Sequence, residues 1–307
     1  MANISVEVEG VSHRFGPVVA LEGVSFSVAA GQMFALLGPN GGGKSTMFRL
    51  LATVLPLQEG RVTVGDFDLR DRARGARAIL GVLFQHPSLD RKLTVEENLW
   101  HHGRLFGLSG KNLRRRIGEV CEPLGLSERR GARVEILSGG WQRRAEIAKA
   151  LVPHPQILLL DEPTTGLDPA ARRDFWQHIE SIRTMEGCTI LLTTHLMEEA
   201  ALCDRVTILD RGKEVATGAP ADLVAGVGGS VVTVVTREPG RLIKLAHQDL
   251  GVEGHRSGGG VRFDGADGAA LVRELNGRFA DIIDSVTLAK PTLEDVFFAK
   301  TGHGLNE

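Results

Sequence analysis

The chain has 307 residues, of which 42% are hydrophobic and 24% charged, and its formal net charge is −2 at pH 7. These proportions are typical of a folded protein with room for two domains and argue against a disordered chain. The near-neutral charge gives no reason to expect an overall basic surface, so nucleic acid is not expected as a partner. Three cysteines without metal-ligand spacing predict free buried thiols in a reducing compartment.

The chain is also expected to lack a membrane span and a secretory signal. Its apolar runs are all shorter than the roughly 18 residues that a membrane helix needs. Its first residues do not show a positive segment followed by an apolar one, which is the pattern of a signal peptide.

Two hydrophobic patterns follow each other along the first part of the chain. Apolar and polar residues alternate at 6–9 and 24–28, which predicts strands of a half-exposed antiparallel layer. Continuous apolar runs then predict three buried parallel strands, at 33–37, 157–160 and 189–193. Buried strands that alternate with helices predict an α/β fold with its ligands at the carboxyl ends of the strands.

A helical insertion is predicted at about 88–152. Thr94 and Glu97 form a capping-box pattern at the start of one helix, and an apolar stripe from Leu113 to Leu124 predicts a second. An arginine-rich patch in this insertion, which includes Arg114, is interpreted as a solvated face or a contact surface.

A second, smaller domain is predicted after a glycine-rich segment. Gly226, Gly228 and Gly229 indicate a linker, and the sequence beyond them predicts a small α+β domain whose last helix starts at Pro291. The predicted domains are therefore 1–220 and 221–307.

The strongest local signal is the segment 38–46, Gly-Pro-Asn-Gly-Gly-Gly-Lys-Ser-Thr, which matches G-x-x-x-x-G-K-[ST] between a predicted buried strand and a helix. Backbone amides of such a loop converge on phosphate, Lys44 reaches the β- and γ-phosphates, and Ser45 can hold Mg²⁺. A plain glycine turn before a core helix would need neither Lys44 nor three glycines. The candidate ATP-binding residues here are Gly38, Asn40, Gly41, Gly43, Lys44, Ser45 and Thr46.

Two carboxylates follow the second buried strand. Asp161 is the candidate to orient Mg²⁺, and Glu162 is the candidate general base that polarises the attacking water. The alternative is that both acids only cap the next turn. The phosphate loop, which is expected at the same rim of the sheet, favours the catalytic interpretation.

The segment Leu-Ser-Gly-Gly at 137–140 precedes the acidic pair by about twenty residues. Ser138 can cap the helix that follows it, which would present free amides and a positive dipole to an anion. As an isolated string this segment would be only a helix cap. In this order with the phosphate loop and the acidic pair, the sequence resembles the ATP-binding-cassette (ABC) ATPases over roughly residues 4–220, which implies a P-loop NTPase core.

The resemblance implies further roles. Ser138 and Gly140 would grip an ATP held by a second cassette, and Asp168 would lie in a loop that crosses to that cassette. Gln85 would sense Mg²⁺ and the attacking water. His195 would contact the γ-phosphate, and Phe15 would stack on adenine. From the residues alone, His195 could be an ordinary strand-end histidine, and Phe15 could pack in the core.

Two positions depart from the usual family pattern, and the tail carries a second resemblance. Trp141 stands where glutamine is usual, which affects how this helix packs across a dimer, and Gly42 replaces the usual alanine. The segment 290–298, followed by Thr301 and Gly302, resembles the ending of bacterial export cassettes of the ABC-2, drug-resistance type. It implies a regulatory or dimer-supporting appendix, and a purely stabilising appendix is the alternative.

The family resemblance therefore implies an ATPase subunit of an ABC transporter that uses ATP and Mg²⁺. It implies a homodimer that sandwiches two ATP molecules, and a separate integral membrane permease that docks near Gln85 and drives export. The subunit would be cytoplasmic and peripheral on the cytoplasmic face of the cell membrane. One alternative is a cassette acting on nucleic acid or ribosomes, although such proteins usually carry two cassettes or long coiled-coil insertions. The other is a non-catalytic ATP-binding module, although degenerate cassettes lose Glu162 or His195.

Overall fold

The computed structural model describes residues 4–227, 229–257, 260–265 and 267–304. They form two compact units, Met1–Thr217 and Gly218–Glu307. The strands are β1 (Ile4–Phe15), β2 (Val18–Ala29), β3 (Met33–Leu37), β4 (Glu59–Val64), β5 (Phe67–Asp68), β6 (Leu80–Leu83), β7 (Ile157–Asp161), β8 (Thr189–Thr194), β9 (Arg205–Asp210), β10 (Lys213–Gly218), β11 (Ser230–Val235), β12 (Gly254–Ser257), β13 (Gly260–Gly265) and β14 (Ser285–Ala289).

The helices are α1 (Lys44–Leu51), α2 (Leu69–Ile79), α3 (Val95–Leu105), α4 (Gly110–Cys121), α5 (Gly139–Leu151), α6 (Pro169–Glu186), α7 (Met197–Ala200), α8 (Pro220–Val227), α9 (Pro239–Leu250), α10 (Gly268–Phe279) and α11 (Leu293–Thr301). Among the described residues, none of these helices is both long and apolar enough to cross a membrane.

The first unit contains an antiparallel sheet in the order β2-β1-β4-β5. Apolar and polar residues alternate in its strands because one face of the sheet is buried: Val6, Val8 and Val24 are buried, while Glu9 is exposed. The predicted half-exposed layer is therefore confirmed.

The second sheet of this unit has the order β10-β9-β3-β8-β7-β6, and its strands β9, β3, β8, β7 and β6 pair in parallel. Every residue of β3, β7 and β8 is buried, which explains their unbroken apolar runs. Since these three strands are neighbours, the loops that follow them emerge at one edge of the sheet.

The predicted helical insertion corresponds to α3, α4 and α5, which pack against one another. Thr94 and Glu97 form the predicted capping box at the start of α3. The arginine-rich patch is not a uniform solvated face, because Arg116 is buried and donates to both oxygens of Glu186 and to the Leu151 carbonyl.

The second unit is a four-stranded antiparallel sheet in the order β12-β13-β11-β14. Helix α9 connects β11 to β12 and α10 connects β13 to β14, which is the split βαβ arrangement. Its core includes Val232, Val234, Leu242, Phe263 and Leu275.

Two local predictions about the second unit need correction. Of the three glycines predicted to form a linker, Gly226 lies within helix α8 and Gly229 lies in a bend before β11, whereas Gly228 lies outside the described residues. The last helix begins after a capping box of Thr292 and Asp295, so Pro291 precedes the helix instead of opening it.

Candidate active site

The phosphate loop joins the buried strand β3 to helix α1. Gly43 has φ 102°, a left-handed conformation that favours glycine, and it directly precedes the helix. A Cβ atom at Gly43 would lie 2.8 Å from the Ala20 carbonyl oxygen, and one at Gly38 would lie 2.1 Å from the Leu209 carbonyl oxygen. These glycines are therefore required by the close packing of the loop on neighbouring backbone.

Lys44 is the first residue of α1 and its side chain is folded back along the loop. Its Nζ donates to the carbonyls of Gly38, at 2.8 Å, and Pro39, at 2.9 Å, and lies 3.8 Å from Glu162 Oε1. Burial lowers the pKa of Lys44, while the carboxylates of Glu162 and Asp161 oppose that shift. The ammonium group is thus held by neutral carbonyls that an anionic phosphate can replace as its partner.

The acidic pair lies where β7 ends. Asp161 is buried and accepts a hydrogen bond from the Thr193 hydroxyl at 2.6 Å. Burial raises the pKa of Asp161, and the Thr193 bond opposes this. Glu162 has φ 42°, which is uncommon for a residue with a side chain, and its amide donates to the Thr193 carbonyl and hydroxyl at 3.2 Å and 3.0 Å.

Four side chains converge on the carboxylate of Glu162. Gln85 Nε2 and Thr165 Oγ1 each donate to Oε2 at 3.2 Å. His195 Nδ1 lies 3.5 Å from Oε1, and Lys44 Nζ lies 3.8 Å from the same oxygen. His195 Nδ1 is buried and has no hydrogen-bond partner among the described residues. Phosphate loop, acidic pair, Gln85 and His195 therefore meet at one point, as the order of the motifs predicted.

The donor set at this edge fits Mg²⁺. Ser45 supplies a hydroxyl, Gln85 an amide oxygen and Asp161 a carboxylate, which are the hard oxygen ligands that Mg²⁺ prefers. The described residues hold no cluster of three or more His, Cys, Asp or Glu that could form an all-protein metal cage. Mg²⁺ beside nucleotides is usually bound through one or two carboxylates together with phosphate oxygens.

Within the described residues, no hydrogen bond connects Ser138, Gly140 or Asp168 to the phosphate loop of their own chain. Ser138 occupies the predicted N-cap position of α5, where its carbonyl accepts from the Gln142 amide, but its hydroxyl makes no capping bond among these residues. Asp168 Oδ1 caps α6 by accepting from the amides of Ala170 and Ala171, both at 2.9 Å. The bond from the Ala171 amide is the main cause that lowers the pKa of Asp168.

Two aromatic residues from the sequence analysis have clear surroundings. Phe15 is 46% exposed, with its ring edge-on to His13 at 4.7 Å, so the alternative of core packing is wrong. Trp141 lies between the guanidinium groups of Arg129 and Arg144, each 4.5 Å from its ring. It therefore packs within its own helical insertion.

Sequence reasoning missed Thr165 and Thr193, which bind the acidic pair. The signal for Thr193 was available, since it lies two residues before His195 on β8 and pairs in register with Asp161 on the neighbouring strand. Aligning the ends of the two predicted strands would have placed its hydroxyl at the site. Thr165 follows Glu162 in a turn, and the sequence gives no periodic signal there.

Comparison with known proteins gives consistent matches. The family model described as "ABC transporter" matches residues 21–165. Nod factor export ATP-binding protein I of Rhizobium sp. (strain N33) is 38% identical over 312 residues, covering 100% of both chains. The daunorubicin resistance ATP-binding protein DrrA3 of Streptomyces coeruleorubidus is 37% identical, covering 98% of this chain and 97% of the relative.

Solved structures match the cassette as well. The cbiO1 protein of Clostridium perfringens, part of the ABC transporter complex cbiONQ, superposes with a TM-score of 0.68 at 25% identity, over 81% of this chain and 96% of that one. The ATP-binding cassette MJ0796, seen as a dimer bound to ADP and Pi, gives a TM-score of 0.63 at 27% identity, over 70% and 98%. With a complete phosphate loop, an acidic pair at the end of β7 and full-length relatives of this kind, the chain belongs to the ATP-hydrolysing, ATP-binding subunits of ABC transporters.

Proposed function

We propose that this subunit hydrolyses Mg-ATP in a head-to-tail pair of cassettes and drives export through a separate integral membrane permease. The observation that carries the proposal is the convergence of Lys44, Gln85 and His195 on the carboxylate of Glu162. A carboxylate so placed can accept the proton of a water molecule that attacks the terminal phosphate bound by the loop. The two relatives described above, one named for Nod factor export and the other for daunorubicin resistance, support export.

Each residue has a defined task in the proposed reaction. The loop amides and Lys44 bind the phosphates, Glu162 accepts the proton of the attacking water, and Gln85 and His195 orient that water and the γ-phosphate. Asp161 and Ser45 would hold Mg²⁺, which supplies charge neutralisation at the phosphates.

The start of α5 supports the head-to-tail pair. Ser138 and Gly140 lie at the amino end of a helix, where backbone amides have no partner within the helix and the dipole favours an anion. No described contact directs them to their own phosphate loop. In a pair they would close on the ATP of the second cassette, as would Asp168, and MJ0796 is a precedent for a dimer bound to ADP and Pi.

A groove beside Gln85 supports permease docking. It has a volume of about 270 Å³, and its lining includes apolar residues together with His102 and two basic residues: Leu80, Val82, Phe84, Phe106, Arg77 and Lys149. Phe106 is 41% exposed, and burial lowers the pKa of His102 to about 4, so this histidine is neutral at neutral pH. A groove that is mostly apolar, with its two charges both basic, fits a short apolar helix of a membrane protein, which would hold the subunit at the cytoplasmic face of the membrane.

The docking proposal predicts that Phe106→Glu abolishes copurification with the permease. The change removes an aromatic face from the groove and adds a carboxylate that must be desolvated when the groove is filled, a cost that Arg77 and Lys149 of the lining offset only in part. The test is affinity purification from detergent extracts after co-expression with the membrane protein of the adjacent reading frame. Met185→Glu, at another exposed apolar residue, is the control. Copurification of RNA in place of a membrane protein would support the nucleic-acid alternative.

Phe15 is the proposed platform for adenine. We expect Phe15→Ala to weaken ATP binding by about 10- to 100-fold, within the roughly 1–3 kcal/mol that stacking of a base on an aromatic ring contributes. Phe15→Trp should retain the affinity because it keeps an aromatic face. Calorimetry with ATP measures both variants. Equal affinity of Phe15→Ala and the unmodified chain would show that this ring does not contact the base.

A further inference from the structure

A buried ion pair lies on the helix that begins after Ser138. Arg143 and Glu146 are one turn apart on α5, at 8% and 4% exposure, and Arg143 Nη1 donates to Glu146 Oε2 at 3.0 Å. A pair of this spacing on a helix surface contributes little, whereas a buried pair costs desolvation unless further hydrogen bonds satisfy its polar atoms. The other contacts of the two side chains therefore indicate why the pair is there.

The Arg143 guanidinium binds the backbone on both sides of Glu162. Its Nε donates to the Pro163 carbonyl at 2.8 Å, and its Nη2 donates to the Asp161 carbonyl at 3.3 Å. Glu162 lies between them with φ 42°. A residue in this sparsely populated region keeps its conformation only when the surrounding structure holds it there, and Arg143 provides part of that hold.

The same pair also binds both ends of the segment that carries Gln85. Arg143 Nη1 donates to the Phe84 carbonyl at 2.9 Å. Glu146 Oε1 accepts from the Ser88 amide at 2.7 Å. The segment 84–88 is therefore attached to α5 before and after Gln85, and each bond involves a charged group, which makes it stronger than a neutral one.

We propose that Arg143 and Glu146 form a positioning pair that fixes Gln85 and Glu162 relative to each other and to helix α5. The 3.2 Å contact between Gln85 Nε2 and Glu162 Oε2 depends on two backbone segments, and both are bonded to this one pair. The proposal rests on the proposed function, because α5 begins with the Ser138 segment that would bind the partner cassette's ATP. The pair then links that segment to the catalytic residues of its own chain.

The test compares Arg143→Gln and Arg143→Lys with Arg144→Gln. Arg144 is the neighbouring arginine, and it bonds to Asp174 at 3.0 Å, away from Gln85 and Glu162. We expect both Arg143 variants to lower kcat for ATP hydrolysis by about 10²-fold, the effect of misplacing a catalytic group by about 1 Å, with ATP affinity unchanged. Lysine keeps the charge but cannot reproduce the planar fork that reaches several carbonyls. Arg144→Gln should keep the kcat of the unmodified chain.

Amide hydrogen exchange separates positioning from stability. Exchange at 84–88 and 161–165 should accelerate in Arg143→Lys, while 38–45 keeps its protection. A kcat of Arg143→Lys equal to that of the unmodified chain would overturn the inference, as would uniformly faster exchange with a lower Tm. If Arg143→Gln does not fold, Arg143→Lys decides alone. An unmodified chain without ATPase activity would reject the proposed function as well, whereas unaffected variants of an active chain reject only this inference.

Discussion

Replacing Glu162 with glutamine should lower steady-state ATP hydrolysis by about 10²–10⁴-fold, the contribution of a general base, while ATP binding is retained. Glutamine has nearly the same shape, so the contacts of Gln85 and Thr165 with position 162 can persist. Its amide cannot accept the proton that the attacking water must lose. Phosphate release measures the loss of turnover, and calorimetry with ATP measures binding.

The same variant also tests the pairing of two cassettes. If hydrolysis normally releases the ATP-bound pair, Glu162→Gln with Mg-ATP should accumulate as a dimer, which light scattering during size-exclusion chromatography detects. Glu198→Gln is the matched control, since it removes an exposed carboxylate three residues after His195. Near-normal turnover of Glu162→Gln would contradict the role of Glu162. A variant that binds Mg-ATP but stays monomeric, alone and with its permease, would contradict the sandwich.

The elements of this fold that sequence could predict are those whose environment is uniform along the chain. Strands β3, β7 and β8 are buried on both faces, so each appears as an unbroken apolar run. Helix α8 is different, because none of its residues is fully buried and Gly226 lies within it. Apart from Asp222 its residues are apolar or glycine, so no contrast between polar and apolar faces indicates a helix, and its helical character depends on its surroundings in the fold.

The residues of the candidate site likewise divide into those that the sequence could predict and those that it could not. Lys44, Asp161 and Glu162 were predictable because each lies next to the end of a predicted strand or in a motif of fixed spacing. The contacts of Arg143 were not, since it lies on a helix and binds carbonyls some twenty residues ahead and almost sixty behind in the chain. An arginine at this position in a sequence is indistinguishable from its neighbour Arg144, which forms an ion pair with Asp174.

Replacing Lys44 with alanine should instead weaken nucleotide binding. The ammonium group would bond to the β- and γ-phosphates, and hydrogen bonds to charged groups contribute about 1.5–3 kcal/mol, or roughly 10- to 100-fold in affinity.

Lys44→Ala and Glu162→Gln are expected to change different properties of the protein. Lys44→Ala should raise the Kd for Mg-ATP and fail to form the ATP-dependent dimer, whereas Glu162→Gln binds ATP and loses turnover. Calorimetric titration with Mg-ATP measures the affinity, and thermal unfolding shows that each variant is folded. Lys111→Ala removes an exposed lysine from α4 and serves as the control. Because Lys44 is buried at 3% exposure beneath the phosphate loop, an unchanged affinity would mean that phosphate does not bind there, and the ATP site would have to be elsewhere.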